Sequence, residues 1–407
     1  MKCRHCLEPL TNTFLDLGFA PPSNAYLTQE DLSKPEKYFP LKLKICDKCW
    51  LVQTEDYATA NELFSDDYAY FSSTSSTWLA HAESFSKAAI KRFELDAKSH
   101  VIEIASNDGY LLRNFVAAGI PCLGIEPTAS TAAAAEKLGV PVIQKFFDEG
   151  LGEELREMQR QADLIVGNNV YAHVPDINSF TRGLKAALKP NGIITLEFPH
   201  LMRMLEDTQF DTVYHEHFSY FSLFTVQLVF RKAGLRIWDV QELPTHGGSL
   251  RVFGCHSDHA RDETTAVRAV LNEESRRGMQ SLEPYSEFQK NADRIKNDFL
   301  SFLIAQKNAG KTVAAYGAAA KGNTLLNYAG IKTDLLPFVC DAAIAKQWHF
   351  MPGSHIPILP QSVLQQQALD YLIVLPWNLV DEIIHQNQRL VESGTKFIRV
   401  VPRLTVV

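Results

Sequence analysis

Short apolar runs alternate with longer amphipathic stretches along most of the chain beyond residue 100. His100-Val-Ile-Glu-Ile-Ala105 predicts a buried strand, Ser106-Asn-Asp-Gly109 a turn, and Tyr110 to Ala118 a helix stopped at Gly119. Pro121-Cys-Leu-Gly-Ile-Glu126 predicts a second strand ending in an acid, and an alanine-rich helix follows through Leu138. Further strands are expected at Asp163 to Gly167 and Gly192 to Glu197. This alternation specifies a doubly wound parallel sheet, an α/β fold whose ligands lie beyond the carboxyl ends of its strands. After a helix near Leu223 to Ala233, two β-rich runs, Arg236 to Leu243 and Gly248 to Gly254, are expected to close the sheet edge.

Two long helical patterns, Glu263 to Arg277 and Leu282 to Lys307, separate this region from a second round of alternation. Strands are expected there at Lys311 to Tyr316, Leu336 to Cys340, Tyr371 to Leu375 and Lys396 to Val401. The second round echoes the first: Ala105-Ser-Asn-Asp-Gly-Tyr-Leu-Leu resembles Ala319-Ala-Lys-Gly-Asn-Thr-Leu-Leu, and Glu126 and Asp341 end corresponding strands. Duplication and chance both account for an echo of this length.

The 407 residues leave room for two or three domains, and 46% hydrophobic with 21% charged residues is globular composition rather than disorder. A net charge of −7 argues against nucleic acid or an anionic membrane as partner, while allowing a local anion site. No apolar run is long enough for a membrane span and the first residues carry no signal-peptide core, so a cytoplasmic location is expected. The seven cysteines are then expected to be reduced or metal-bound. Four of them form the pairs Cys3-x-x-Cys6 and Cys46-x-x-Cys49, the two knuckles that supply a closed tetrahedral thiolate shell for structural zinc. Disulfides or a redox dithiol are the alternatives. With four sulfur ligands the metal has no open position for catalysis, and a module this small needs it to fold.

The candidate chemistry lies around the first sheet. Glu103, Ala105, Asn107 and Gly109 line the turn after the first strand, and Glu126, followed by Pro127, is placed to accept hydrogen bonds from two ribose hydroxyls. Glu103, Asp108 and Glu126 together repel a pyrophosphate and attract the sulfonium of S-adenosylmethionine, which favours a methyl donor over NAD. Phe146 and Phe147 offer an apolar wall for adenine or are simply core. Asn168, Asn169 and His173 follow a strand end where an enolate oxygen could be held. Tyr214-His-Glu216-His217 is the densest titratable cluster, with His200 and His246 in the same domain, and acid/base work, a metal site and a solvated loop compete for it. Tyr68, Tyr70 and Ser72 belong to a hydroxyl-rich run that reads as a lid or a linker. Arg251 is a candidate phosphate partner, and Lys321 with Asn323 at a strand-to-helix turn suits a single phosphate group.

The two knuckles, EIASNDGYLL, GIEP, GNNVYAHVPD, LEFPHL, TVYHEHFSYFS, THGGSLRVF and YGAAAKG, in this order and nearly end to end, resemble the three-domain, zinc-containing sugar C-methyltransferases. That family uses S-adenosylmethionine on nucleotide-linked 4-keto-deoxyhexoses. The resemblance implies a zinc-binding domain over 1–64, a Rossmann-like class I methyltransferase domain over 65–256, and a Rossmann-like domain over 257–407 that helps hold the nucleotide sugar. It places the base at His217, with Tyr214 and Glu216 orienting it, and His173 and Asn169 near the reacting centre. It implies a closing role for the Tyr68 to Ser76 run. O- or N-methylation of another small molecule, an NAD-dependent sugar oxidoreductase, and a zinc-stabilised scaffold without catalysis are the rival expectations. Oligomeric state is not encoded in any motif.

Overall fold

In the computed structural model, which describes residues 1–55, 57 and 71–407, the alternation in Phe39-Pro-Leu-Lys-Leu-Lys-Ile45 becomes a two-faced strand. Leu41, Leu43 and Ile45 are buried while Lys42 and Lys44 keep partial contact with solvent. β1 (Asn12–Ala20) and β2 (Phe39–Ile45) pair antiparallel, and β3 (Val52–Thr54) pairs with β2. The apolar face of this sheet shares one cluster with Tyr285, Phe288 and Ile295, so the N-terminal module is packed on C-terminal helices rather than standing apart.

The central sheet contains β4 (Val101–Ile104), β5 (Cys122–Ile125), β6 (Val142–Ile143), β7 (Ala162–Asn168) and β8 (Leu188–Pro199). After β9 (Ser219–Tyr220), which pairs with β3 in the N-terminal sheet, come β10 (Leu235–Leu243) and β11 (Ser249–His256). The order is β10-β11-β8-β7-β4-β5-β6, with β4 to β8 parallel and the last two strands antiparallel at one edge. That is the expected doubly wound sheet and edge closure. β8 runs beyond the expected Gly192 to Glu197 at both ends, Phe198 and Pro199 pairing with β11 and Leu188 with Ala162 of β7.

The third sheet holds β12 (Val313–Tyr316), β13 (Val339–Asp341), β14 (Ile358–Pro360), β15 (Tyr371–Val374), β16 (Lys396–Arg399) and β17 (Thr405–Val406), in the order β14-β13-β12-β15-β16-β17. The echo between the halves is geometric as well as textual. Glu126 accepts the Asn107 and Thr128 amides, each at 2.9 Å. Asp341 accepts the Ala318 and Ala343 amides at 2.7 and 2.8 Å. In each half, the acid ending the second strand clamps the turn after the first and its own amide two residues on. Among the described residues, no helix is long and apolar enough to cross a membrane.

The central and C-terminal parts are joined by a buried carboxylate. Glu274, on the helix Thr265–Arg276, accepts the Leu223 and Phe224 amides at 2.6 and 3.0 Å and lies 2.7 Å from His200 Nε2. It thereby caps the helix Leu223–Lys232 from outside that helix. Glu274→Ala strands three buried donors at once. A loss of about 3 kcal/mol in unfolding free energy is expected, read by urea denaturation.

Candidate functional site

The two knuckles meet as their spacing predicts. The four Sγ atoms of Cys3, Cys6, Cys46 and Cys49 lie within 4.8 Å of one another, with Cys3 3.5 Å from Cys49 and Cys6 3.4 Å from Cys46. Thiolates about 2.3 Å from a tetrahedral zinc are about 3.8 Å apart, so the donor set fits that ion. All seven cysteines are unbridged, and Gln53 donates to Cys3 Sγ at 3.3 Å. The knuckles also grip the central domain. Arg4 donates to the carbonyls of Pro175 at 2.8 Å and Thr54 at 3.0 Å, and the Thr225 hydroxyl donates to that of Cys49 at 3.0 Å.

The turn after β4 holds one glycine, yet three of its residues leave the ordinary backbone regions. Ala105, Asn107 and Gly109 all take left-handed backbone, at φ 56°, 49° and 77°. Alanine and asparagine there cost energy that glycine would not, and strain of this kind concentrates at binding loops. Their neighbours hold them in place: Glu126 takes the Asn107 amide, while the Ser72 and Ser73 amides donate to Asn107 Oδ1 at 2.9 Å and Asp108 Oδ2 at 3.0 Å. A Cβ at Gly109 would lie 3.2 Å from Ala135, a tight contact added to the strain that a side chain meets at this positive φ. Burial pushes the Glu103 carboxyl well above its usual range, with Tyr110 opposing and Asp108 and Glu126 adding to the rise. Ser72 thus touches the turn, while Tyr68 and Tyr70 lie outside the described residues.

Across the carboxyl edge of the same sheet stands the histidine cluster. His217 Nε2 lies 2.7 Å from the Tyr214 hydroxyl and Nδ1 lies 3.1 Å from the Thr212 carbonyl. The His173 ring packs edge-on against His217 at 4.6 Å, and its nitrogen meets the Glu216 backbone carbonyl. Asn169 Nδ2 is 3.0 Å from His246 Nε2, and both residues adopt left-handed backbone. Asn168, buried at the end of β7, has no partner for either amide atom among the described residues. Burial lowers His217 well below the ordinary histidine range and brings His173 and His246 to about 4. The rings are therefore neutral at pH 7.

Several other expected site residues are committed to contacts within the protein. Arg251 is buried against Glu197, at 2.6 Å, and His81, at 3.0 Å, with its guanidinium over the Phe85 ring. Its charge is already met inside the protein, which corrects the phosphate role expected for it. His200 is spent on Glu274, which corrects its expected place at the substrate. Asn323 is wholly buried and donates to the Ser23 carbonyl at 2.5 Å, so it joins domains rather than facing a cleft. Phe147 is core, edge-on to Phe180, whereas Phe146 is exposed and keeps its place as a candidate adenine wall. Lys321 lies over the Trp377 ring and donates to Asn378 Oδ1 at 2.8 Å, while Trp377 Nε1 donates to Asp211 at 2.7 Å. Burial pushes that aspartate up to about 6, against the pull of Lys321 and Trp377. Sequence reasoning missed several groups here. Trp78, stacked on His81 and 5.3 Å from His246, and Trp377 lie outside every motif the sequence offers.

Comparison with known proteins gives this geometry its context. A zinc binding domain model matches residues 3–64, a methyltransferase domain model residues 78–240, and a C-methyltransferase C-terminal domain model residues 244–402. The C-methyltransferase NovU of Streptomyces niveus is 33% identical over 406 residues, which is 100% of this chain and 96% of that protein. A ubiquinone biosynthesis O-methyltransferase of Rhodopseudomonas palustris (strain HaA2) is 30% identical over 120 residues, 27% of this chain and 46% of that protein. Among solved structures, the 1,6-didemethyltoxoflavin-N1-methyltransferase of Burkholderia thailandensis covers 51% of this chain and 96% of its own, at 15% identity and a TM-score of 0.38. The O-methyltransferase likeness is confined to part of the chain, whereas the C-methyltransferase likeness runs through the zinc module, the central sheet and the C-terminal sheet. The chain belongs to the three-domain, S-adenosylmethionine-dependent C-methyltransferases.

Proposed function

We propose that this C-methyltransferase acts on a nucleotide-linked 4-keto-deoxysugar and places the methyl group at C3, with His217 as the base. The observation that carries the reading is the hydrogen-bond pattern around that ring. A carbonyl only accepts, so the nitrogen facing Thr212 bears the proton, and Nε2 presents a lone pair toward Tyr214. The Tyr214 hydroxyl turns from Nε2 toward the substrate, the C3–H bond of the sugar breaks, its proton moves to the vacated Nε2 lone pair, and the electron pair becomes an enolate across C3 and C4. The nucleophilic carbon would then take the methyl group as the methyl–sulfur bond of the donor breaks and the thioether leaves. A neutral imidazole is far too weak to ionise an unassisted carbon acid, so donors at the C4 oxygen must lower much of the barrier. The Asn168 amide, buried and without a partner among the described residues, is a free donor at that edge, and Asn169 and His246 form a braced pair beside it.

S-adenosylmethionine supplies the methyl group when bound. The residues that would hold it are Glu126 and Pro127, the Glu103 to Gly109 turn, Ser72 above that turn, and Phe146. Lys321 would meet the charge of the nucleotide, with Lys346 near Asp341 on the same sheet edge. The division into 1–64, 65–256 and 257–407 and a cytoplasmic setting are part of this reading.

The depressed histidines set a pH dependence. A base whose affinity for protons is lowered stays free to lower pH, so the acid limb of kcat/KM is expected below pH 6.5 rather than at it. The same sign governs stability. His173 and His246 stay neutral in the folded chain down to about 4, while their unfolded counterparts protonate near 6.5. Stability held above pH 6.5 is therefore expected to fall as pH drops toward 4, by roughly 3 kcal/mol for each ring. Thermal melts across that window check it. The substrate reading is tested by incubating the enzyme and methyl-labelled donor with dTDP-, GDP- and CDP-linked 4-keto-deoxysugars. Label entering at least one is expected, and none entering any of them overturns the reading.

A further inference from the structure

The zinc module is fused to an enzyme whose chemistry has no use for a closed metal site, and its loop after β1 enters the histidine cluster. Asn24 Nδ2 lies 2.7 and 2.9 Å from the two carboxylate oxygens of Glu216. Pro21 to Leu27 forms no regular element, yet it is tied along its length to the C-terminal domain. The Ser23 carbonyl accepts from Asn323 at 2.5 Å, the Tyr26 hydroxyl donates to the Ala318 carbonyl at 2.5 Å, and the Leu27 and Phe350 backbones exchange hydrogen bonds at 3.0 and 2.8 Å. The other side of the module braces the same catalytic segment. β3, which follows the second knuckle, pairs with Ser219 and Tyr220, and Arg4 in the first knuckle lies over the Phe218 ring.

We infer that Asn24 is a positioning residue for the methyl-transfer site, through which the zinc-binding module and the C-terminal domain together fix Glu216 and the two imidazoles beside it. The route is short. Glu216 is buried, its carbonyl meets the His173 ring, and its peptide leads directly to His217. A carboxylate left without the Asn24 amide has reason to turn, and its backbone carries both rings with it. Asparagine suits the position because its amide nitrogen donates to a carboxylate without adding charge, whereas aspartate of the same shape would repel it. The structural zinc then has a functional reason to be present: it folds the segment that delivers this amide. This inference rests on the site proposed above for its catalytic readout, but not for its structural one.

The test uses the full-length, zinc-loaded enzyme and the variants Asn24→Ala, Asn24→Asp and Asn24→Asp with Glu216→Gln. Zinc content, affinity for S-adenosylmethionine and amide hydrogen exchange of the peptide spanning Thr212 to Phe218 are measured without sugar, and kcat and KM with it. Losing a hydrogen bond to a charged group corresponds to about a 10- to 100-fold effect. Exchange of that peptide is expected to accelerate in both single variants and kcat to fall by about that factor, with zinc content, donor affinity and KM nearly unchanged. In the double variant the glutamine donates to the aspartate, and slow exchange is expected to return. Exchange unchanged in both single variants, or a double variant as unprotected as Asn24→Asp alone, overturns the inference. If exchange responds but no keto-sugar is methylated, the substrate reading fails and the positioning role stands.

Discussion

His217→Ala is expected to reduce methyl transfer by about 100- to 10,000-fold while leaving S-adenosylmethionine affinity within about twofold of the parent. The two readouts separate because the ring and the donor turn are held by different residues. His217 is braced by Thr212, Tyr214 and His173, whereas the turn is braced by Glu126 and the Ser72 and Ser73 amides. Removing the ring also removes a buried polar group together with its partners' contacts, so some loss of stability accompanies it. Rate measured well below the melting temperature and donor affinity by calorimetry keep these apart. Tyr214→Phe serves as the milder companion. It removes the hydroxyl that orients Nε2 but leaves the basic ring in place, held by Thr212, so its loss should be smaller than that of the alanine variant. A histidine variant with parental turnover contradicts the assignment.

The second large effect concerns the metal. Binding of structural zinc contributes about 10 to 16 kcal/mol to the folding of small zinc modules, so stripping it is expected to loosen the two knuckles and the segments they hold. The damage is not expected to stay local. β3 pairs with β9, Arg4 holds the Pro175 carbonyl two residues beyond His173, and the Cys49 carbonyl is tied to Thr225. Cys46→Ser, or chelation of the parent, is therefore expected to abolish turnover although zinc touches no reacting atom. Zinc content by mass spectrometry alongside methyl transfer checks this. An apo-protein that turns over normally contradicts it.

Much of this architecture is legible in the residues because its cause is local. Val101 to Ile125 reads as strand, turn, helix and strand from apolar runs and punctuation alone, and the four cysteines carry their geometry in their spacing. The acid at Glu126 is legible for the same reason, since a strand end fixes where its side chain goes. Tyr214 to His217 is conspicuous because titratable groups seldom crowd a segment that is otherwise apolar.

What the residues hide is every contact made across domains. Asn24 meets Glu216, Trp377 meets Asp211 and Asn323 meets Ser23 over separations far longer than any local pattern reaches. The one hint at Asn24 is its place in Pro21-Pro-Ser-Asn24, a turn signal that says where the chain bends but not what it approaches. Arg251 and His200 mislead for a related reason. A basic residue within a recognisable motif looks free until its buried carboxylate partner, Glu197 for Arg251 and Glu274 for His200, is located. The left-handed Ala105 and Asn107 likewise look like ordinary residues in a glycine-poor turn, because the groups that hold their backbone lie elsewhere in the chain.

The central claim is that carbon, not oxygen, is methylated, at the position activated by the neighbouring ketone and through loss of its proton. It is tested most directly by nuclear magnetic resonance of the product formed from carbon-13 methyl donor and a nucleotide-linked 4-keto-deoxysugar deuterated at C3. The expected product carries the labelled methyl on C3 and has lost one deuterium from that carbon. A methyl group on oxygen, with the deuterium at C3 retained, would contradict the account.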